Sequence, residues 1–316
     1  MAHTVFIDGA AGTTGLEIRE RLQGRTELKV VQLSEAERKD VRARARALNE
    51  ADLVILCLPD DAAREAVGLI ENPHVRVIDA STAHRTAPGW TYGLAELEPD
   101  QRAKLTASKR VSNPGCWATG FVALMRPLVR AGVVPADFPV SVNGISGYSG
   151  GGKSMIAEFE AKGSPAYVET VARSYALTLA HKHIPEMQKW VGLELPPVFS
   201  PMVGRFYRGM LVDVPLHAWA LPGKPATARI HDVMSEAYRG EKLVEVVSLE
   251  GGLANTSLDA ETLKGTNRIK LFVFGNDKTG QIRLIAMFDN LGKGAGGAAV
   301  QNLNIMLGLP ETAGLV

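Results

Sequence analysis

The chain has 316 residues, 46% of them hydrophobic, which suits about two domains with sizeable cores. Its 35 basic and 34 acidic residues leave a formal charge of +1, so neither nucleic acid nor a membrane surface is the expected partner. No apolar run approaches the ~20 residues that span a bilayer, and two cysteines do not make a disulfide framework.

In chain order, Thr4 to Ile7 reads as a strand, followed by a glycine turn and helical spacing from Leu16 to Leu22. The opening MAHTVFIDGAAG has no basic segment leading into an apolar one, so it is read as a strand and turn rather than a signal peptide, and cytoplasm is the expected compartment. Leu28 to Leu33 is a second strand, Val41 to Leu48 a helix, and the run Leu53 to Leu58 a strand covered on both faces. Ala62 to Ile70 is helical and Val75 to Ala80 is again a strand. This alternation predicts a doubly wound parallel sheet.

After Val111 the pattern changes. Ala118 to Arg130 is a helix, Val140 to Ile145 a strand, and Met155 to Met187 a long helical stretch. Strand-like runs follow at Phe199–Val203, Met210–Val214, Ile269–Phe274 and Ile282–Phe288, so the second domain is expected to be α+β. Gly294 to Leu307 closes the chain as a glycine-led helix.

Gly9-Ala-Ala-Gly12-Thr13-Thr14-Gly15 sits at the first strand–helix turn. Small residues there let the backbone approach a pyrophosphate, and the helix N-terminus offers N–H donors and a favourable dipole. The spacing G-x-x-G-x-x-G departs from the usual dinucleotide fingerprint, and the same glycines would suit a plain tight turn. Beyond the second strand, Ser34, Arg38 and Lys39 suit a ribose 2′-phosphate and point to NADP; Glu35 is the counter-signal for NAD.

The two cysteines differ in setting. Cys57 lies inside LVILCL, as a buried small hydrophobe does. Cys116 ends Ser112-Asn-Pro-Gly-Cys116, a turn that delivers the thiol to a helix start, where the dipole favours the thiolate. A thiol of pKa ~8.5 is only about 3% thiolate at pH 7, whereas one near 6.5 is roughly three-quarters thiolate. A nucleophilic cysteine needs a proton partner, and His181-Lys-His183-Ile-Pro-Glu186 supplies two histidines and a carboxylate. The same segment could ligate zinc, but no further Cys/His pair has ligand spacing, so no metal is expected. It also reads as a solvated helix end interrupted by Pro185.

Gly147-Tyr-Ser149-Gly-Gly-Gly152-Lys153-Ser154 formally matches a phosphate-binding P-loop, with Ile285 to Asp289 as a Walker-B-like strand. A nucleotide kinase or ATPase is therefore the rival reading.

The chain resembles the short form of the N-acetyl-gamma-glutamyl-phosphate reductases, within the aspartate-semialdehyde dehydrogenase-like superfamily. The resemblance is carried by GAAGTTG at 9–15, DASTAHR at 79–85, YGLAEL at 92–97, SNPGC at 112–116, HKHIPE at 181–186 and DNLGKGAGGAAVQN at 289–302. It implies a Rossmann-like NADP-binding domain over 1–115 and a glyceraldehyde-phosphate-dehydrogenase-like catalytic and oligomerisation domain over 116–288. A C-terminal helical segment, 289–316, would return to the first domain. It implies Cys116 as nucleophile and His181 or His183 as acid/base, with His181 preferred and Glu186 orienting. Ser81, Asn290, Lys293 and Gly294 would serve the cofactor. His84, Arg85, Ser149 and Lys153 would hold an acyl phosphate. Aspartyl or aminoadipyl phosphate would need the same chemistry, and a homo-oligomer, dimer or tetramer, is expected.

Overall fold

A computed structural model describes residues 2–315, and the chain divides into two compact units: 1–115 with 295–316, and 116–294. The sequence boundary after residue 288 therefore falls six residues early, because 289–294 packs with the second unit.

The first unit begins with β1 (His3–Asp8), α1 (Thr13–Leu22), β2 (Leu28–Val31), α2 (Val41–Glu50), β3 (Leu53–Leu56), α3 (Asp60–Gly68) and β4 (Arg76–Asp79). It continues with β5 (Thr91–Tyr92), α4 (Gln101–Ala107) and β6 (Arg110–Ser112). The strands form one parallel sheet in the order β2-β1-β3-β4-β6-β5. Its two faces are sorted by the period-2 alternation of strands. Val5, Ile7, Leu53 and Ile55 share one core with Ile18 and Leu22 of α1. Phe6, Val54 and Leu56 face Ala47 and Leu48 of α2 and Ala63 and Ala66 of α3. Every residue of β3 is buried, which is why that run shows no polar alternation.

The second unit contains α5 (Cys116–Arg130), β7 (Ser141–Gly147), α6 (Gly152–Glu160), β8 (Ala172–Ser174), α7 (Ile184–Val191), β9 (Val198–Gly204) and β10 (Met210–His217). After these come α8 (Thr227–Ala237), β11 (Val244–Val246), α9 (Leu249–Leu253), β12 (Ile269–Asn276) and β13 (Gln281–Phe288). The mixed sheet runs β11-β12-β13-β10-β7-β9-β8. α5 lies against it through Gly120, where an added Cβ would come within 2.6 Å of Val212 and 2.8 Å of Phe288. Pro127 sits inside α5 and cannot donate to the carbonyl of Ala123. The Tyr238 hydroxyl takes that carbonyl instead, at 2.7 Å.

The last helix, α10 (Gly297–Leu307), belongs to the first unit and adds Ala299, Val300, Leu303 and Met306 to the α1 side of its core. Its polar residues are buried too. Asn302 donates to the Gly93 carbonyl at 2.8 Å and to Asn113 at 3.1 Å, and Gln301 donates to Glu96 at 2.8 Å. A turn of π-helix over Gly292–Gly296 precedes α10, so the regular helix starts three residues after Gly294.

The expected helix from Met155 to Met187 is not formed. α6 stops at Glu160, residues 161–183 carry only the short β8, and α7 begins at Ile184. Gly163 (φ 95°), Ser164 and Pro165 break the helical run. Pro185 does not interrupt a helix; it occupies the first turn of α7, where a missing N–H costs nothing.

Candidate active site

In the first unit the residues expected at the cofactor follow the carboxyl ends of β1, β2 and β4, across the point between β1 and β3 where strand order reverses. Gly9 has φ 88°, and a Cβ there would lie 2.3 Å from the Cys57 carbonyl oxygen. A Cβ on Gly15 would lie 2.5 Å from the Gly9 oxygen, so these two glycines fold the loop tightly. Gly12 differs: a Cβ would meet nothing nearer than 3.4 Å, and its lack of one leaves the head of α1 open. No side chain caps α1 and its first turn carries no acid, so the N–H groups at Thr13 and Thr14 are presented to an anion.

A cleft of about 140 Å³ runs beside this loop, lined by Asp8, Ala10, Ala11, Arg19, Leu33 and Arg38. Ser34 accepts from the Glu37 N–H at 3.3 Å while Glu37 accepts from the Ser34 N–H at 2.8 Å, a reciprocal pair that starts the turn bearing Arg38. Glu37, not the exposed Glu35, is thus engaged at this corner. Arg19 is a cation of the cleft that sequence reasoning missed; its signal was position, on the helix that the glycine loop opens. The buried Asp8 carboxylate accepts from Arg44 of α2 at 3.0 Å. A loop with no side chains at its close approach, an uncapped helix head and two cationic side chains fit a dinucleotide.

Farther along the same sheet edge, Asp79 is fully buried at the end of β4. It accepts from the Ser81 hydroxyl at 2.7 Å and pairs with His84 Nδ1 at 2.6 Å. The His84 ring stacks on Trp90 with centroids 4.1 Å apart. Ser81 also accepts from the Ala83 N–H at 3.1 Å. Arg85 is buried and donates to the carbonyls of Asn113 and Ala80, both at 3.1 Å, bracing the ends of β4 and β6.

In the second unit Cys116 is the first residue of α5, at its dipole's positive end. Gly294 packs against it: a Cβ on Gly294 would lie 2.9 Å from the Cys116 Cβ. Trp117 donates its Nε1 hydrogen to the Tyr175 hydroxyl at 2.8 Å and meets Phe199 edge-on at 5.2 Å. His181 meets Phe199 at 5.1 Å and Tyr175 at 5.9 Å. The imidazole of His181 and the residue after the thiol therefore share one aromatic wall.

The two histidines are not equivalent. His181 is half-exposed, whereas His183 and Glu186 are buried at the head of α7. The His183 N–H donates to His181 Nδ1 at 3.1 Å, so the neutral His181 ring carries its hydrogen on Nε2. In that tautomer Nε2 is a hydrogen-bond donor.

Asn290 uses both ends of its amide inside the second unit. Its Oδ1 accepts from the Gly209 N–H at 2.8 Å and its Nδ2 donates to Ser149 Oγ at 2.9 Å. Lys293 is fully buried, and Lys153 is exposed on α6. Ser149 is fully buried, held by Asn290.

The P-loop reading fails here. The N–H groups of Gly147, Tyr148 and Ser149 donate to the carbonyls of Gly209, Phe206 and Tyr207 at 2.9, 2.9 and 3.1 Å, so they cannot cradle a phosphate. The Walker-B-like Asp289 accepts from the N–H groups of Leu291, Gly292 and Gly265 and from Arg208, which leaves it unsuited to a metal ion.

Cys57, half-buried against the first unit's core, is no rival to Cys116. Desolvation, with the nearby charges of Asp79 and Asp8, pushes its thiol up to about 12.

A parallel nucleotide-binding sheet and a thiol heading a helix of a second, mixed-sheet unit define a class, and comparison with known proteins agrees. Residues 4–105 match the model for the semialdehyde dehydrogenase NAD binding domain, and residues 116–290 match the model for the semialdehyde dehydrogenase dimerisation domain. The chain belongs to the semialdehyde dehydrogenase family, and within it stands with the N-acetyl-gamma-glutamyl-phosphate reductases. The protein of that name from Brucella ovis is 52% identical over 98% of this chain and 100% of its own length. The one from Trichormus variabilis is 50% identical over 98% of each chain. Among solved structures, aspartate semialdehyde dehydrogenase II of Vibrio cholerae shares the fold with a TM-score of 0.75 at 17% identity, covering 97% of this chain and 98% of its own. The Candida albicans aspartate semialdehyde dehydrogenase, solved with NADP, has a TM-score of 0.64 at 12% identity, covering 97% of this chain and 99% of its own.

Proposed function

We propose that the chain catalyses reduction of N-acetyl-L-glutamyl 5-phosphate to N-acetyl-L-glutamate 5-semialdehyde and phosphate, with NADPH as reductant. The observation that carries the reading is Cys116 at the head of α5, beside a wall that also holds His181. The substrate rests on the names of relatives identical at 50% or more over nearly the whole chain.

The chemistry follows from these groups. The Cys116 thiolate attacks the acyl carbon, the carbon–sulfur bond forms, and phosphate leaves with the electrons of the carbon–oxygen bond. NADPH, when bound, supplies the hydride that reduces the resulting thioester. N–H groups at the start of α5 stabilise the oxygen's developing charge. His181, in its neutral form, donates an Nε2 hydrogen bond to the thiohemiacetal oxygen, which stabilises that oxygen's charge until the carbon–sulfur bond breaks, the aldehyde forms and the thiolate leaves. His183 holds the His181 ring through its N–H.

Preference for NADP is supported by Arg38 and Arg19 in the cleft beside the glycine loop and by the absence of a carboxylate among Gln32, Leu33 and Ser34, which follow β2. Gly9, Gly12, Thr13, Thr14 and Gly15 hold the pyrophosphate. A homo-oligomer is supported by the second-unit sheet. Val198 and Met202, on the same face of β9, stay 52% and 39% exposed, apolar side chains left uncovered. Among the described residues no helix is long and apolar enough to cross a membrane.

The test is NADP reduction by N-acetyl-glutamate semialdehyde with inorganic phosphate, run beside aspartate semialdehyde and beside NAD. The reading requires the first pair to turn over fastest; faster turnover of aspartate semialdehyde would overturn the substrate, and faster use of NAD the cofactor.

A further inference from the structure

The chain between α6 and α7 delivers His181 without a long regular element to hold it. Its first part is tied down: Arg205 donates to the carbonyls of Phe159, Val168 and Thr170, and Trp117 donates to the Tyr175 hydroxyl at 2.8 Å. The four residues directly before His181 are different. Leu177, Thr178, Leu179 and Ala180 are all exposed, the two leucines by 79% and 59%. Among the described residues their backbone makes one hydrogen bond, from the Leu179 N–H to the Ala176 carbonyl at 3.0 Å. Ala176 and Leu179 also take left-handed φ of 54° and 57°, which residues with a Cβ rarely adopt. Such strain persists where surrounding contacts over-determine it. A single local hydrogen bond does not.

Both feet of this run stand on β9. At one, the Tyr175 N–H donates to the Pro201 carbonyl at 3.2 Å. At the other, the His181 ring meets Phe199 at 5.1 Å. Val198 and Met202, the exposed apolar residues of β9, are the chain neighbours of those two footholds. Leu177 and Leu179 on the run and Val198 and Met202 on the strand thus leave four apolar side chains in water around one short arch of backbone.

We propose that a second copy of this chain seats against Leu177, Leu179, Val198 and Met202, and that this contact holds the run, and with it the His181 ring, in its working position. The inference deepens the homo-oligomer and the His181 role proposed above and rests on both. A second copy is the occupant because the run and β9 both lie in the stretch that matches the family's dimerisation domain. The four side chains carry no charge, so the patch can meet itself across a two-fold axis without opposing like charges. The separated chain then keeps its nucleophile and its cofactor loop but holds its hydrogen-bond donor loosely.

The test uses Met202→Glu and Val198→Glu, which place a carboxylate in the patch and leave the run itself unaltered. Sedimentation velocity should show the wild type as a dimer or larger and both variants as monomers. The kcat for NADP reduction should fall by at least about tenfold in the monomers, because small misplacements at reacting atoms are expensive. NADPH affinity should stay at the wild-type value. The loss should also run through His181: in a His181→Asn background, Met202→Glu should lower kcat little further, since two changes that disable one group do not add. A monomeric variant with wild-type kcat would overturn the proposal, as would variants that stay oligomeric or a full further loss in the His181→Asn background. Should Met202→Glu fail to fold, Val198→Glu decides in the same way. A His181→Asn chain with wild-type kcat would instead overturn the role given to His181. A wrong substrate assignment changes the aldehyde used in the assay, not its dependence on assembly.

Discussion

Gly294 stands against Cys116 so closely that a Cβ on the glycine would lie 2.9 Å from the cysteine Cβ and 3.3 Å from its Cα. The loop that follows β13 therefore fixes where the thiol sits. Gly294→Ala should displace Cys116, cost about 1–3 kcal/mol as overpacking, and lower kcat by at least about tenfold, since small misplacements at reacting atoms are expensive. Steady-state kinetics with a parallel thermal melt checks this. An alanine variant with wild-type kcat would show that the contact relaxes harmlessly.

Arg38 and Arg19 line the same cleft, but only an ion pair to a 2′-phosphate distinguishes the two cofactors. Arg38→Ala should weaken NADPH by about 10- to 100-fold, the loss of one or two hydrogen bonds to a charged group. NADH binding should be nearly unchanged. Fluorescence titration of both nucleotides reads the difference.

His181 and His183 are two residues apart and should fail differently. His181→Asn should lower kcat by about 10²-fold or more, the usual cost of removing one donor to a charged reacting oxygen, with little change in stability. His183→Asn alters a buried ring at the head of α7, so its main effect should be a lower melting temperature. Measuring both quantities for both variants assigns the roles.

The thiols should also part company. With Cys57 pushed up to about 12 by burial and nearby carboxylates, the folded chain should show one thiol reactive toward Ellman's reagent at pH 8. Denaturation should expose the second. Two fast thiols in the folded chain would contradict the raised Cys57 thiol.

The parts readable in the sequence are those with local causes. Gly9 and Gly15 mark a strand–helix turn because only glycine fits there, and LVIL shows no polar alternation because both faces of β3 are covered. Asn-Pro-Gly before Cys116 forces the turn that opens α5. What failed depended on distant partners. Apolar residues at near-helical spacing hid the break after Glu160. The glycines at 147–152 matched a phosphate loop because a short pattern cannot show that carbonyls at 206, 207 and 209 already hold its N–H groups. Nor could spacing tell His181 from His183, which differ in burial and in the hydrogen bond from the His183 backbone N–H to His181 Nδ1.

The central claim is a covalent acyl group on Cys116, and intact mass spectrometry tests it most directly. Mixed with N-acetyl-glutamyl phosphate in the absence of NADPH, each chain should gain one N-acetyl-glutamyl group, mapped by peptide analysis to Cys116. That group should vanish on adding NADPH as aldehyde appears. No adduct on Cys116, together with full turnover by Cys116→Ala, would contradict the account.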